Sequence, residues 1–379
     1  MYQDLIDYPD AVDYFNDNKA FPEGARCCLD GYVFSNVSTV INAHVVQAHR
    51  RLADMSRWLQ RPASEATRLD SLADDIVAGL KKHLLIGGDA CDPPSPRCFL
   101  DGLGFPVKGA GSPQDPNETL PYLPGTSNSI THTAVQSTLF VVGCGLLEPA
   151  EALMTLSFLR AKTKTMPLFS AMASNFLLEG LYVMATADPT TAAADFAFEI
   201  LTRAGHRSWL EMLRHNATMT TEHWFGTFTG TNAGHTWSHP WSAAPARIIP
   251  QFLMGVRPLE RAWRRIAVHP QPGSTLQRAT MTVPTLRGDI ALAFARTSSA
   301  STAATGESAD MASAFALNLT VPGNTAAEVC LPLGLLPRGS TSDVTLDGEK
   351  ALVRVPPGRL GQLCLANDVV GGVHTIVAQ

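Results

Sequence analysis

The spacing of apolar side chains changes about two thirds of the way along this 379-residue sequence. Before that point, apolar residues recur at steps of three and four, which is the period of an amphipathic helix. After it, they alternate with polar residues, which is the period of a strand with one buried face. This pattern is incompatible with an all-α or an all-β chain. It predicts a helical domain followed by a sheet domain.

The helical part begins with two apolar stripes separated by Pro62. The first stripe contains Ile41, Val45, Ala48, Leu52, Met55 and Leu59, and the second contains Leu69, Leu72, Ile76 and Leu80. Two helices joined by so short a break form an antiparallel hairpin. A long loop is predicted from about Gly87 to Ser129. Further helices are predicted near residues 131–145, 149–160, 171–185, 191–204 and 208–215. We expect an array or toroid of helical hairpins.

The strand part begins near Pro258. Alternating apolar residues predict strands at 290–294, 315–321 and 344–346, and a first strand around 266–268. Asp347-Gly348 is a sequence typical of a tight hairpin turn. We therefore predict two domains, residues 1–257 and 258–379, of which the second is an antiparallel β-sandwich.

Charge and composition exclude several classes of protein. With 29 basic and 34 acidic side chains and no basic block, the chain does not have the charge of a nucleic-acid-binding protein. Its best apolar run, residues 139–147, is shorter than the ~20 residues that span a bilayer. Residues 1–4 do not resemble the start of a signal peptide, and the compartment is left open. The seven cysteines include no CxxC pair, so we expect most of them to be small buried apolar side chains.

Aromatic and polar residues are most concentrated between Trp209 and Trp241. This window contains four of the six tryptophans, which are Trp209, Trp224, Trp237 and Trp241. Indole rings beside carboxylate and amide groups suit a sugar site, because the rings stack on the apolar face of a pyranose. The alternative is that these tryptophans pack at a domain junction, and composition alone does not decide between the two.

Other chemistries have less support in the same window. His235 and His239 are four residues apart and could bind a metal with Glu222, but Pro240 argues against a helix and the order is not HExxH. The sequence has no GxSxG elbow, no GxGxxG loop and no Walker A loop. We therefore expect neither a metal nor a cofactor.

Two blocks in this window carry a family resemblance. Residues 216–224 read Asn-Ala-Thr-Met-Thr-Thr-Glu-His-Trp, and residues 237–243 read Trp-Ser-His-Pro-Trp-Ser-Ala. They resemble two sequence blocks that occur in the same order in the α-L-rhamnosidases of glycoside hydrolase family 78. Residues 266–270 are similar to the start of that family's C-terminal β-sandwich. Residues 5–8, 30–34 and 131–133 also match, in the family's order.

The resemblance implies an (α/α)6 toroid followed by a β-sandwich. It also implies inverting hydrolysis of terminal α-L-rhamnose from a rhamnose-containing glycoside or polysaccharide. Glu222 matches the general base, and His239 matches a position that binds sugar hydroxyls. Asp7 and Tyr8 correspond to a sugar-facing Asp-Trp pair of the family. Weaker binding candidates, for which a packing role is the alternative, are Asp30, His132, Trp224 and Trp237. Tyr8 stands where most relatives carry tryptophan.

The family's general acid lies in an Asp-x-Pro-x-Arg-x-Glu type block upstream of the Asp7 position, and this sequence has no such block. The number of predicted helices is also only roughly two thirds of the number that a six-hairpin toroid needs. We therefore expect an incomplete toroid in an N-terminally truncated chain, whose partner is the missing N-terminal half of the same enzyme. Little turnover is expected unless a carboxylate such as Asp101 replaces the acid. The alternatives are an inactive carbohydrate-binding remnant and a structural helical-repeat protein.

Overall fold

The computed structural model describes residues 35–106, 133–165, 171–205, 207–222, 224, 236–297, 314–336 and 343–378. The chain divides into two compact units, Met1–Gly180 and Leu181–Gln379. Among the helices described, none is long and apolar enough to cross a membrane. Asp7, Tyr8, Asp30 and His132 lie outside the described residues, so their roles stay predictions.

The first unit is built on a helical hairpin. Helices α1 (Thr39–Trp58) and α2 (Ala63–His83) form it, and the side chain of Ser38 caps α1 by accepting a hydrogen bond from the Ile41 amide at 3.4 Å. Further along are α3 (Val135–Gly143), α4 (Pro149–Leu153), α5 (Leu156–Thr165) and the start of α6 (Ala173–Ala185). These helices match the predicted positions, except that the predicted helix 149–160 is divided into α4 and α5.

The face that α1 buries differs from the predicted one. Small residues such as Ala43 and Ala53 are fully buried, and Ala53 packs with Ala66 and Leu69 of α2. The larger residues of the predicted stripe point outward, since Leu52 is 48% and Met55 49% exposed. The reason is close approach: small side chains let the two helices pack tightly, and Ile41 and Val45 of the predicted stripe are only half-buried. The second stripe is buried as predicted, apart from Leu72.

The described part of the first unit also contains four short strands, of which the last two lie in the predicted long loop. They are β1 (Ser35–Ser38), β2 (Leu85–Gly88), β3 (Ser95–Phe99) and β4 (Gly102–Pro106). β1 pairs with β4 and β2 pairs with β3, both antiparallel. A disulfide between Cys91 and Cys98 closes the turn between β2 and β3.

The expectation that most cysteines are simple buried apolar side chains is therefore wrong for the described part of the chain. A second disulfide joins Cys330 to Cys364, which are directly opposite each other on neighbouring strands. Cys144 does fit the expectation, because it is free and buried. Burial, with a smaller contribution from the charge of Glu179, raises the pKa of the Cys144 thiol to about 12. Cys144 is thus a neutral thiol at physiological pH.

The second unit starts with helices and ends with a sheet. After α6 come α7 (Ala192–Thr202), α8 (Trp209–Arg214) and α9 (Ala244–Ile248), which continues into a π-helical turn, Ile249–Leu253. Gly255 then redirects the chain into the sheet with φ +76°, and a Cβ at this position would lie 2.1 Å from the carbonyl group of His269. Only glycine fits such a position.

Ten strands form the sheet in the described residues. They are β5 (Val256–Pro258), β6 (Arg265–Val268), β7 (Arg278–Val283), β8 (Ile290–Thr297), β9 (Ala314–Pro332), β10 (Val344–Leu346), β11 (Glu349–Lys350), β12 (Val353–Arg354), β13 (Gln362–Leu365) and β14 (Val369–Ala378). The long strand β9 pairs with β6, β8, β13 and β14. Its alternating residues Phe315, Leu317 and Leu319 are buried, as predicted.

The sheet is mostly antiparallel, with one exception to the prediction. β6 runs parallel to β9, with Arg265 opposite Ala326 and Val268 opposite Val329. The predicted Asp347-Gly348 turn is confirmed, because both residues have positive φ (54° and 87°) and join β10 to β11. A helical-hairpin region followed by a mostly antiparallel sheet is therefore the architecture of this chain.

Candidate active site

Helix α8 opens the segment that carries the candidate site. Ser208 caps it by accepting a hydrogen bond from the Glu211 amide at 3.1 Å. At its start, Trp209 packs edge-on against Trp224 with ring centroids 5.0 Å apart, and its indole N–H donates to the Ser242 carbonyl at 2.8 Å. Trp224 is only 4% exposed. The packing alternative therefore describes these two tryptophans well, and a sugar contact by Trp224 stays a prediction.

Two stretches of chain, around Glu222 and around His239, are bonded side by side. The His239 amide donates to the Thr220 carbonyl at 2.8 Å, and the Thr220 hydroxyl donates to the His239 carbonyl at 2.9 Å. The Glu222 amide donates to the Thr236 carbonyl at 3.0 Å. These backbone bonds hold the predicted base and the predicted sugar-binding histidine in one place, although they are 17 residues apart in sequence.

The carboxylate of Glu222 is held by Thr236. The backbone N–H and the hydroxyl of Thr236 both donate to Glu222 Oε2, each at 3.0 Å. The same hydroxyl lies 2.9 Å from His239 Nδ1. A fixed carboxylate, a hydroxyl and an imidazole thus form a continuous hydrogen-bonded row, which is an arrangement able to take up a proton and to bind hydroxyl groups.

A second layer of contacts fixes the backbone of Glu222. The indole N–H of Trp241 donates to the Glu222 carbonyl at 2.6 Å, and the fully buried Ser242 hydroxyl donates to the Thr221 carbonyl at 2.5 Å. The ring of Trp241 also packs on His239, with centroids 4.3 Å apart. Trp237, in contrast, is 48% exposed. It is the tryptophan of this group whose ring faces water and could meet a sugar.

Thr236, Trp241 and Ser242 were not among the predicted site residues. Trp241 and Ser242 lie within the second family-like block, so the sequence did carry a signal for them. Thr236 precedes that block by one residue, and its only signal is a hydroxyl three positions before His239. Its contact with Glu222 is long-range, and no local pattern predicts such a contact.

The metal alternative at this site rests on three residues, of which the structure describes Glu222 and His239. Glu222 and His239 are bridged by the Thr236 hydroxyl, and His235 lies outside the described residues. The group most like a set of metal ligands within the described chain is His269, Glu328 and Cys330. Cys330 is, however, in a disulfide, and Glu328 already pairs with Arg265 at 2.9 Å. This group is therefore an ion-pair network in the sheet.

Asp101, the suggested substitute acid, has a structural role. It is 6% exposed, and its Oδ1 accepts hydrogen bonds from the Ala134 amide and the Ser137 hydroxyl, both at 2.6 Å. These donors stand at the N-terminus of α3. Asp101 thus ties the start of α3 to a distant part of the chain, and its role as a substitute acid stays a prediction.

Comparisons with known proteins place the chain in a family. Residues 9–253 match the model of the bacterial alpha-L-rhamnosidase 6 hairpin glycosidase domain, and residues 255–305 match the bacterial alpha-L-rhamnosidase C-terminal domain. No curated protein matches the sequence significantly.

Solved structures show the same relationship at the level of the fold. The Streptomyces avermitilis alpha-L-rhamnosidase complexed with L-rhamnose aligns with TM-score 0.62 and 16% identity, covering 97% of this chain and 30% of that chain. The enzyme of Dictyoglumus thermophilum gives TM-score 0.59 and 14% identity, covering 88% of this chain and 31% of that one. The enzyme of Aspergillus terreus gives TM-score 0.57 and 18% identity, covering 89% of this chain and 30% of that one. The chain therefore spans about a third of the length of these solved relatives. By its match over residues 9–253, the chain belongs to the family of bacterial α-L-rhamnosidase six-hairpin glycosidases.

Proposed function

We propose that this chain contributes the general-base side of an inverting α-L-rhamnosidase, with Glu222 as the base. The observation that carries the proposal is the Glu222 carboxylate, which Thr236 holds beside His239 within the segment that the family model matches. The substrate is a glycoside or polysaccharide with a terminal α-L-rhamnosyl group. This substrate is supported by a solved relative of the same fold, which is complexed with L-rhamnose.

Inversion requires two carboxyl groups on opposite faces of the sugar, about 6.5–9.5 Å apart. Glu222, as a carboxylate, would draw a proton from the attacking water while an acid protonates the leaving oxygen. We place that acid in a part of the enzyme that these residues do not include, because the acid block is absent from the sequence and the solved relatives are about three times as long. The expected partner is therefore the N-terminal part of such an enzyme.

The match to the family models also supports a proposal about the finer architecture. Residues 1–257 would form part of an (α/α)6 toroid, and residues 258–379 would fold as a β-sandwich. The change from one family model to the next, between residues 253 and 255, lies close to this division. On this view Trp237 stacks on the sugar and His239 binds its hydroxyls, while Trp224 supports the site by packing on Trp209.

The test is hydrolysis of an aryl α-L-rhamnoside by the chain joined to the in-frame coding sequence upstream of Met1. Glu222→Gln should lower kcat by roughly 10²–10⁴-fold, as expected for loss of a general base. Glu199→Gln, an exposed change on α7, is the matched control and should have no effect. Full activity in the Glu222→Gln protein would refute the assignment. Robust turnover by the 379-residue chain alone would refute the missing acid.

A carbohydrate-binding remnant is the second candidate, and the exposed ring of Trp237 favours it. It predicts that the chain binds L-rhamnose without hydrolysing rhamnosides, and that Trp237→Ala removes the binding. Calorimetric titration with L-rhamnose, run beside the hydrolysis assay, separates the two candidates.

A further inference from the structure

Thr236 contacts both polar groups of the candidate site. Its hydroxyl lies 3.0 Å from Glu222 Oε2 and 2.9 Å from His239 Nδ1. Its backbone N–H donates to the same carboxylate oxygen at 3.0 Å, and its carbonyl accepts the Glu222 amide at 3.0 Å. One residue therefore sets the orientation of the carboxylate and touches the imidazole.

The direction of these hydrogen bonds follows from counting protons. A hydroxyl has one hydrogen to donate and lone pairs that accept, whereas an ionised carboxylate only accepts. When Glu222 is ionised, the Thr236 O–H must therefore point at Oε2. The contact with His239 then requires Nδ1 to be the donor. A neutral His239 in this row carries its proton on Nδ1, which leaves Nε2 as an acceptor.

We propose that Thr236 is a positioning residue that orients the Glu222 carboxylate and fixes His239 in the Nδ1–H tautomer. The Nε2 atom of His239 would then accept a hydrogen bond from a hydroxyl of the bound sugar. The role of Nε2 toward a sugar rests on the proposed function, but the tautomer itself does not. In the opposite tautomer Nε2 would donate, and a substrate hydroxyl would have to be turned around.

The surroundings of His239 allow this inference to be tested without disturbing the fold. Its backbone is fixed by Thr220 through hydrogen bonds of 2.8 and 2.9 Å, and its ring packs on Trp241. None of these contacts involves Thr236. The side chain of Thr236 is exposed, so exchanging its hydroxyl for a methyl group leaves no buried cavity. Thr236→Val keeps the shape and removes only the hydrogen bonds of the hydroxyl.

The experiment is ¹⁵N NMR of the imidazole nitrogens in the full 379-residue chain labelled at histidine, at a pH where His239 is neutral. His239→Gln identifies the signal of His239. We expect the wild type and Thr236→Ser to show the Nδ1–H tautomer, and Thr236→Val to lose it. Ser238→Ala, an exposed change in the same segment, is the control and should leave the tautomer as it is. Should the Thr236→Val protein not fold, Thr236→Ala provides the same comparison.

A second readout links the tautomer to the sugar. Thr236→Val should weaken L-rhamnose binding, or lower kcat/KM toward a rhamnoside, by roughly 10- to 100-fold, because a hydrogen bond to a charged group is lost. Thr236→Ser should retain most of the wild-type binding or kcat/KM. An Nε2–H tautomer in the wild type, or an unchanged tautomer in Thr236→Val, would overturn the positioning role whatever the activity. A shifted tautomer without any rhamnose binding or hydrolysis would support the positioning role and count against the proposed function alone.

Discussion

Removing the charge of Glu328 should change the pH dependence of stability. Glu328 lies on β9, with Oε2 at 2.9 Å from Arg265 and Oε1 at 3.1 Å from the buried His269. The contact with His269, followed by those with Arg265, lowers the pKa of Glu328 from 4.5 to about 2. Because the folded pKa lies below the unfolded one, the network stabilises the fold above pH 4.5. That stabilisation is lost as the pH falls from 4.5 toward 2.

The magnitude follows from the size of this shift. The fall in pKa from 4.5 to about 2 corresponds to about 3.5 kcal/mol at neutral pH, from roughly 1.4 kcal/mol for each pH unit. The side chain is 17% exposed, so solvent screening reduces this value only in part. His269 acts in the same direction, since burial lowers its pKa below 6.5, and its contribution begins to fall once the pH drops below that value. Glu328→Gln should therefore cost about 2–3 kcal/mol at pH 7.

Urea denaturation at pH 7 and pH 3, followed by circular dichroism, measures this cost. The stability difference between Glu328→Gln and the wild type should shrink by more than half at pH 3. At that pH the wild-type carboxylate has already lost part of its stabilising effect. Glu349→Gln, an exposed change on the short strand β11, is the matched control and should stay within ~0.5 kcal/mol of the wild type. An equal cost of Glu328→Gln at both pH values would contradict the reasoning.

Two further changes are expected to act through the fold. Exchanging the exposed Leu52 and Met55 of α1, and Leu59 just after it, for glutamine should reduce aggregation in light scattering while the melting temperature changes little. The buried Leu69→Gln should instead lower the melting temperature. Replacing Cys330 and Cys364 by serine opens a loop of 34 residues and should cost about 4 kcal/mol on the chain-entropy estimate, measured by denaturation against the unreduced wild type. A stability loss below ~1 kcal/mol would mean that the sheet holds these strands without the bond.

Local patterns in the sequence predicted the local structure. The alternation at Phe315, Leu317 and Leu319 is confirmed, because the burial of a strand face follows directly from its period of two. The Asp347-Gly348 turn is confirmed for the same reason, since both residues adopt the positive φ that this hairpin requires. Family membership could be recognised from motif order.

Features that depend on distant contacts were not predicted. Apolarity alone did not show which face of α1 would be covered, because the close packing depends on small residues such as Ala53 meeting Ala66 of the next helix. The parallel pairing of β6 with β9 joins segments about 60 residues apart. In the site, the sequence pointed to Glu222 and His239 but not to Thr236, whose importance lies in a contact across the two stretches.

The bond between Glu222 and Thr236 also bears on how this site can change in evolution. Glu222 and Thr236 are 14 residues apart in sequence and are tied by hydrogen bonds of 3.0 Å. Insertions or deletions between them therefore need not alter the spacing of Glu222 and His239. Lengthening a closed loop costs little, about 0.6 kcal/mol for each doubling. A change of length between Trp224 and Thr236 should therefore cost little stability while Glu222 and His239 keep their geometry.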